Sequence, residues 1–260
     1  TGTNRWRKFD AWPPKESKPQ EFALRAGSGL GSTSETMGLG PVGINTFDEF
    51  VSDPAKPVPF INKIGIGMFQ EYMTADQRFA SQRPDVLVYQ SPVLTEDTTI
   101  SGPIEVELYV STTGTDADWV VKLIDVYPDD YPDAEPSDEA LARARPNRPA
   151  VSDVRMGGYQ QLVRGEPFRG KFRNSFEKPE AFKSGEITKV KFTMPDTLHT
   201  FRPGHSIMIQ VQSTWFPLVD RNPQTFCDIY SADEKDFVKQ THRVYRSPDH
   251  RSKVTLRVVK

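Results

Sequence analysis

Four histidines, one cysteine and three aspartates around one turn are the residues whose types could do chemistry. His199, His205, His242 and His250 fall at neither helical nor zinc-finger spacing, so a structural zinc site is not expected. Cys227 stands alone and cannot close an intrachain disulfide, which leaves the redox compartment open. Asp116 and Asp118, with Asp125, could offer oxygen ligands to calcium. Acidic turns between strands are common, however, and no metal or other cofactor is expected. His199 and His205 flank the turn Thr200-Phe201-Arg202-Pro203-Gly204, and the expectation is that they hydrogen-bond that turn.

Two glycine-containing stretches mimic known motifs and fail on detail. Gly204-His205-Ser206 begins like the G-x-S-x-G elbow, but Met208 stands where the second glycine belongs. The segment also runs into a strand, not a helix, so Ser206 is not expected to be a nucleophile. Gly27-Ser28-Gly29-Leu30-Gly31-Ser32 lacks both the third glycine of a dinucleotide loop and the Gly-Lys-Ser/Thr end of a P-loop. It reads as a flexible loop. No catalytic residue is assigned.

Aromatic side chains offer a different kind of site. Trp6, Trp12, Trp119, Trp215 and Phe216 could form a sugar or peptide platform, although large aromatics in a sandwich usually belong to the core. Trp215-Phe216-Pro217 follows a strand in an irregular stretch and is expected to line a surface pocket. Trp215, Phe216, Asp220 and Arg221 are therefore the candidate substrate-cleft or interface residues. Asp220 and Arg221 could instead brace their own loop.

The elements that must position these residues read as strands. Ile104, Val106, Leu108 and Val110 alternate with Glu105, Glu107 and Tyr109, the period-2 pattern of a strand with one wet face. Trp119 to Val126 is apolar on both faces, as a strand buried within a sandwich would be. Further strands are expected at residues 4–9, 21–26, 86–90, 159–164, 188–194, 206–213, 241–246 and 253–259. Ser137 is a possible N-cap for a short helix over residues 138–145, which Pro146 would end. Residues 27–63 carry little period and read as a long functional or disordered loop. The fold class is all-β: a two-sheet antiparallel β-sandwich, with residues 1–260 as one domain.

Composition excludes some partners. A net charge of −2 gives no electrostatic reason to expect nucleic acid. The densest basic cluster, Arg143, Arg145 and Arg148, sits in a Pro-rich stretch read as a solvated loop. No apolar run approaches the roughly 18–20 residues of a membrane span, so no membrane partner is expected. Thr1 to Phe9 already reads like the body of a strand, which suggests a piece of a longer protein.

The order of short segments completes the reading. Gly2-Thr3-Asn4-Arg5-Trp6 leads to Trp12-Pro13-Pro14 and Asp53-Pro54-Ala55-Lys56-Pro57-Val58-Pro59. Arg83-Pro84-Asp85-Val86, Gly102-Pro103, Asp116-Ala117-Asp118 and Leu123-Ile124-Asp125-Val126 follow. Phe201-Arg202-Pro203-Gly204-His205, Asp220-Arg221-Asn222-Pro223 and His250-Arg251-Ser252-Lys253-Val254 close the series. This order resembles the C-terminal β-sandwich of the serine hydrolases that include X-Pro dipeptidyl peptidase, cocaine esterase, glutaryl acylase and α-amino-acid ester hydrolase. The resemblance implies a jelly roll of galactose-binding-like type that packs on an α/β-hydrolase catalytic domain of the same polypeptide. It implies that the triad lies upstream, that His205 and His250 are scaffold, and that the full-length protein is a homo-oligomer. The contact surface is expected in residues 27–63 and 215–223. The alternative is a carbohydrate- or small-ligand-binding β-sandwich module.

Overall fold

In a computed structural model, which describes residues 1–33, 46–65, 67–145, 152 and 154–259, the alternating segments form eleven strands. In chain order, β1 is Ser17–Arg25, β2 Gly29–Ser32, β3 Phe47–Ser52, β4 Leu87–Gln90, β5 Thr98–Thr112 and β6 Asp118–Val126. The series continues with β7 at Gln160–Arg169, β8 at Thr188–Phe201, β9 at Ser206–Gln212, β10 at Gln240–Tyr245 and β11 at Lys253–Val259. Two short helices, α1 at Arg78–Ser81 and α2 at Asp138–Arg143, lie between them. The Ser137 hydroxyl caps α2 by accepting from the Ala140 amide. Pro146 and Arg148 lie outside the described residues.

β5 is the spine of one layer. β8 pairs along one edge of β5, while β10 and β11 share the other. β3 extends β10, and β1 and β2 extend β11. The second layer runs β4, β9, β6, β7, all antiparallel. One parallel pairing, Gly29 opposite Gln90, joins the layers, so the hydrogen-bonded path is continuous while the sheet folds over on itself. The result is an all-β sandwich.

The core lies where the inner faces meet. Ile104, Val106, Leu108 and Val110 of β5 are buried against Trp119, Val121 and Leu123 of β6 and Ile207, Ile209 and Val211 of β9. The wet face of β5 carries Glu105 and Glu107, which pair across to Lys191 and Lys189 of β8 at 3.3 and 2.8 Å. Such exposed cross-strand pairs add little stability but hold the register.

Three sequence expectations change. Residues 4–9 form no strand, because the chain from Thr1 to Trp12 meets the sandwich only at a few points of β8. Trp6 is fully exposed. The stretch from 27 to 63 is not structureless, since it contains β2 and β3. Its glycines serve a hairpin: the Arg25 guanidinium crosses Gly31 so closely that a Cβ there would lie 2.5 Å from it, and Arg25 donates to the Ser32 carbonyl. The third change concerns β9, where Ile207, Ile209 and Val211 alternate with Met208, Gln210 and Gln212 as if one face were wet, yet all six are buried.

Candidate functional site

Two loops predicted to form a contact surface are stitched into one. The Phe216 amide donates to the Val58 carbonyl and the Phe60 amide to the Phe216 carbonyl, both at 2.9 Å. The Val58 amide donates to the Thr214 hydroxyl, and Arg221 Nη1 to the Pro54 carbonyl. Residues 53–63 and 214–224 therefore move as a unit.

The four candidate residues divide within that unit. Trp215 is buried with 4% exposure, so it does not line a surface pocket. It packs with Phe60, Ile61 and Val120 as a satellite core beneath the loop. Sequence could not show this, because the element that covers Trp215 lies some 150 positions away. Phe216 is the exposed member, at 39%. Arg221 braces: its guanidinium stacks 4.6 Å from Phe237 and lies 3.7 Å from Glu234. Asp220 accepts weakly from the Tyr230 hydroxyl at 3.4 Å. The segment adjoining residues 53–63 packs Phe69 and Tyr72 on the Phe60–Trp215 cluster and exposes Ile64, Met68 and Met73.

Three groups beneath this surface escaped the sequence reading. Asn222 donates to Asp118 Oδ1 at 2.8 Å and accepts from the Gln224 amide at 2.7 Å. Gln224 in turn donates to the carbonyls of Ser52 and Val238. Lys122 is fully buried on β6, donates to Gln77 Oε1 at 3.1 Å and sits 4.9 Å from the Trp215 ring. No carboxylate among the described residues pairs with it, and burial pushes its pKa down to about 7. Gly165 makes room for this arrangement, because a Cβ there would meet the Trp215 indole at 2.7 Å. The one available signal was a lysine inside an otherwise apolar strand.

The aspartates and histidines are committed elsewhere. Asp118 is bound by Arg169 and Asn222, yet burial outweighs both and raises its pKa to about 6. Asp116 lies 3.8 Å from Lys171, and burial raises its pKa also. Asp125 sits at the far end of β6 and binds His199 Nε2 at 2.9 Å and His205 Nδ1 at 2.8 Å. His199 of β8 reaches this carboxylate across the sandwich and His205 from beside the neighbouring strand β9, where the sequence suggested a local turn. Burial pushes Asp125 up, but these two hydrogen bonds outweigh it and hold the carboxyl below its usual value. Ser206 is buried, and the neighbouring His205 ring is already bound to Asp125. Among the described residues no three His, Cys, Asp or Glu side chains gather as a metal site.

Comparison with known proteins fixes the family. The sequence profile of the X-Pro dipeptidyl-peptidase C-terminal non-catalytic domain matches residues 1–255. The chain belongs to that family. It is 31% identical over 264 residues to a cocaine esterase of Rhodococcus sp. (strain MB1 Bresler), covering all of this chain and 41% of the esterase. The fold superposes on an aminopeptidase from a marine sediment archaeon, Thaumarchaeota archaeon, with TM-score 0.84 and 36% identity, over 100% of this chain and 40% of that one. It superposes on an α-amino acid ester hydrolase with TM-score 0.80 and 39% identity, over 99% and 40% of the two chains. The chain therefore spans about two fifths of the length of these relatives.

Proposed function

We propose that this domain is the non-catalytic C-terminal part of a serine hydrolase of esterase or peptidase type. Its role is to pack on an α/β-hydrolase catalytic domain of the same polypeptide, wall one side of the substrate cleft and support homo-oligomer assembly. The observation that carries the reading is the stitched surface of residues 53–63 and 214–224, which exposes Phe216 and whose 53–63 arm runs on into a segment with exposed Ile64 and Met68. Apolar side chains grouped on a braced surface mark a contact site. That full-length relatives are more than twice as long supplies a body for it to contact.

Two experiments test this. The 260-residue chain, incubated with p-nitrophenyl acetate and amino-acid methyl esters, is expected to show no turnover above buffer. Turnover that Ser206→Ala abolishes would overturn the reading. The isolated chain is also expected to self-associate through the bare patch, and the double variant Met68→Asp, Phe216→Asp should sediment as a monomer. A wild-type chain that is already monomeric at high concentration would argue against this surface.

A further inference from the structure

The open side of the sandwich holds a second candidate site, remote in sequence from the loops above. β7 and β8 are the edge strands of the two layers, and no backbone pairing joins them among the described residues. Phe168 of β7 and Phe192 of β8 close part of the gap by stacking at 4.9 Å with their planes 3° apart. Phe176 stands edge-on to Phe168 at 6.3 Å and is 81% exposed. A groove of about 550 Å³ runs along these rings, within the size range of small-molecule sites.

Phe176 is held out in water by a rigid loop. Arg173 donates to the carbonyls of Gly170, Glu180 and Ala181, and its guanidinium stacks 4.4 Å from Phe182. Asn174 donates to Glu180 at 2.7 Å. These contacts brace the loop that carries Phe176, whose ring meets the groove through Phe168.

Glu166 is the anomaly in the groove. It stands opposite Val121 in the β6–β7 register, so it shares the face that points between the layers. Phe168, next along that face, packs against the core, while Arg164 on the other side is exposed and donates to the Asp196 carbonyl. The carboxylate has no hydrogen-bond or ion-pair partner among the described residues, and burial alone raises its pKa. The cations along the groove are otherwise engaged. Arg169 pairs with Asp118, Arg173 lies 3.9 Å from the Glu180 carboxylate besides its three carbonyls, and Lys191 pairs with Glu105. Glu166 is therefore the groove's one unpartnered charge among the described residues.

We infer that this groove binds a small organic cation, a primary ammonium carrying an apolar or aromatic body. Glu166 would accept from the ammonium while Phe168 and Phe176 cover the body. Aromatic faces and a carboxylate together recognise an alkylammonium, through ring quadrupole and charge. An anionic ligand finds no free cation here. The inference is independent of the proposed packing role, because it rests on a different face.

Isothermal titration with phenethylammonium tests it, with benzyl alcohol and benzoate as neutral and anionic controls. Phenethylammonium is expected to bind at pH 7.5 and both controls to bind at least tenfold more weakly. Glu166→Gln should weaken the phenethylammonium affinity at least tenfold, and Phe176→Ala severalfold. Both variants should fold, since one removes an unpaired half-buried charge and the other an exposed ring. Absence of binding, benzoate binding equally well, or unchanged affinity in Glu166→Gln would each overturn the inference. In that case Glu166 acts only as an inward charge that keeps an edge strand from pairing with another copy.

Discussion

The Lys122 ammonium lies 4.9 Å from the Trp215 ring and donates to Gln77, and no carboxylate among the described residues pairs with it. This contact links β6 to both coverings of the outer sheet face, the 214–224 loop and the 58–82 strap. It also leaves a measurable trace, because Lys122 folds more easily neutral than charged.

The sign of that effect is definite. The folded-state pKa, about 7, is depressed from the ordinary 10.5. Below pH 7 both states carry the charge and the full burial penalty applies. Between pH 7 and 10.5 the unfolded chain holds the extra proton, so stability rises with pH. Lys122→Met, which keeps the volume and removes the charge, should therefore gain a few kcal/mol relative to wild type at pH 6 compared with pH 9. Gln77 loses its donor at every pH, so the pH dependence is the diagnostic quantity. Urea denaturation at the two pH values measures it, and a pH-independent difference would contradict the assignment.

Asp125 shifts in the same direction for the opposite reason, because the fold favours its charged form. His199 and His205 keep its carboxyl below the ordinary value. That stabilisation is present at neutral pH and is lost as pH falls below the ordinary carboxylate range. Asp125→Asn should destabilise the domain by about 3 kcal/mol, the usual result of removing one partner of a buried charged group. Equilibrium unfolding at pH 7 provides the number, and a change under about 0.5 kcal/mol would show the triad of groups to be dispensable.

His242 should set the acid limb of stability. It is buried between Phe50 and Trp119, hydrogen-bonds Ser213, and burial lowers its pKa from 6.5 to about 3. Between those values the unfolded chain takes up a proton that the folded chain refuses. Stability should fall by about 1.4 kcal/mol per pH unit across that window from this residue alone. In His242→Phe the slope should be shallower by that amount. Thermal melts from pH 7 to pH 4 test this, and parallel slopes would refute it.

Asn222→Ala removes the donor to buried Asp118 and the acceptor for the Gln224 amide. A loss of roughly 2–3 kcal/mol is expected, because both partners stay buried. The Arg221→Ala change should cost less, about 1 kcal/mol, since Glu234 is exposed and the guanidinium only partly buried. Chemical denaturation of the two variants should rank them in that order, and the reverse ranking would mean that the brace on Pro54 matters more.

Short-range pattern and segment order sufficed for the strands β5 and β6, the inward residues of β5, the cap of α2 and the family. Each depends on periodicity or on chemistry between near neighbours, which a sequence carries directly. Tertiary structure alone decided which polar residues are buried. Trp215 is covered because Phe60, Ile61 and Tyr72 return over it, and buried Lys122 meets Gln77 of the same segment. His199 finds Asp125 across the sandwich and His205 finds it from the neighbouring strand, at separations of 74 and 80 residues. Glu166 becomes an unpartnered carboxylate only because the β6–β7 register turns it toward the gap between the layers. Period-2 alternation determines that a strand has two faces, but only the packing of distant segments determines whether the second face meets water.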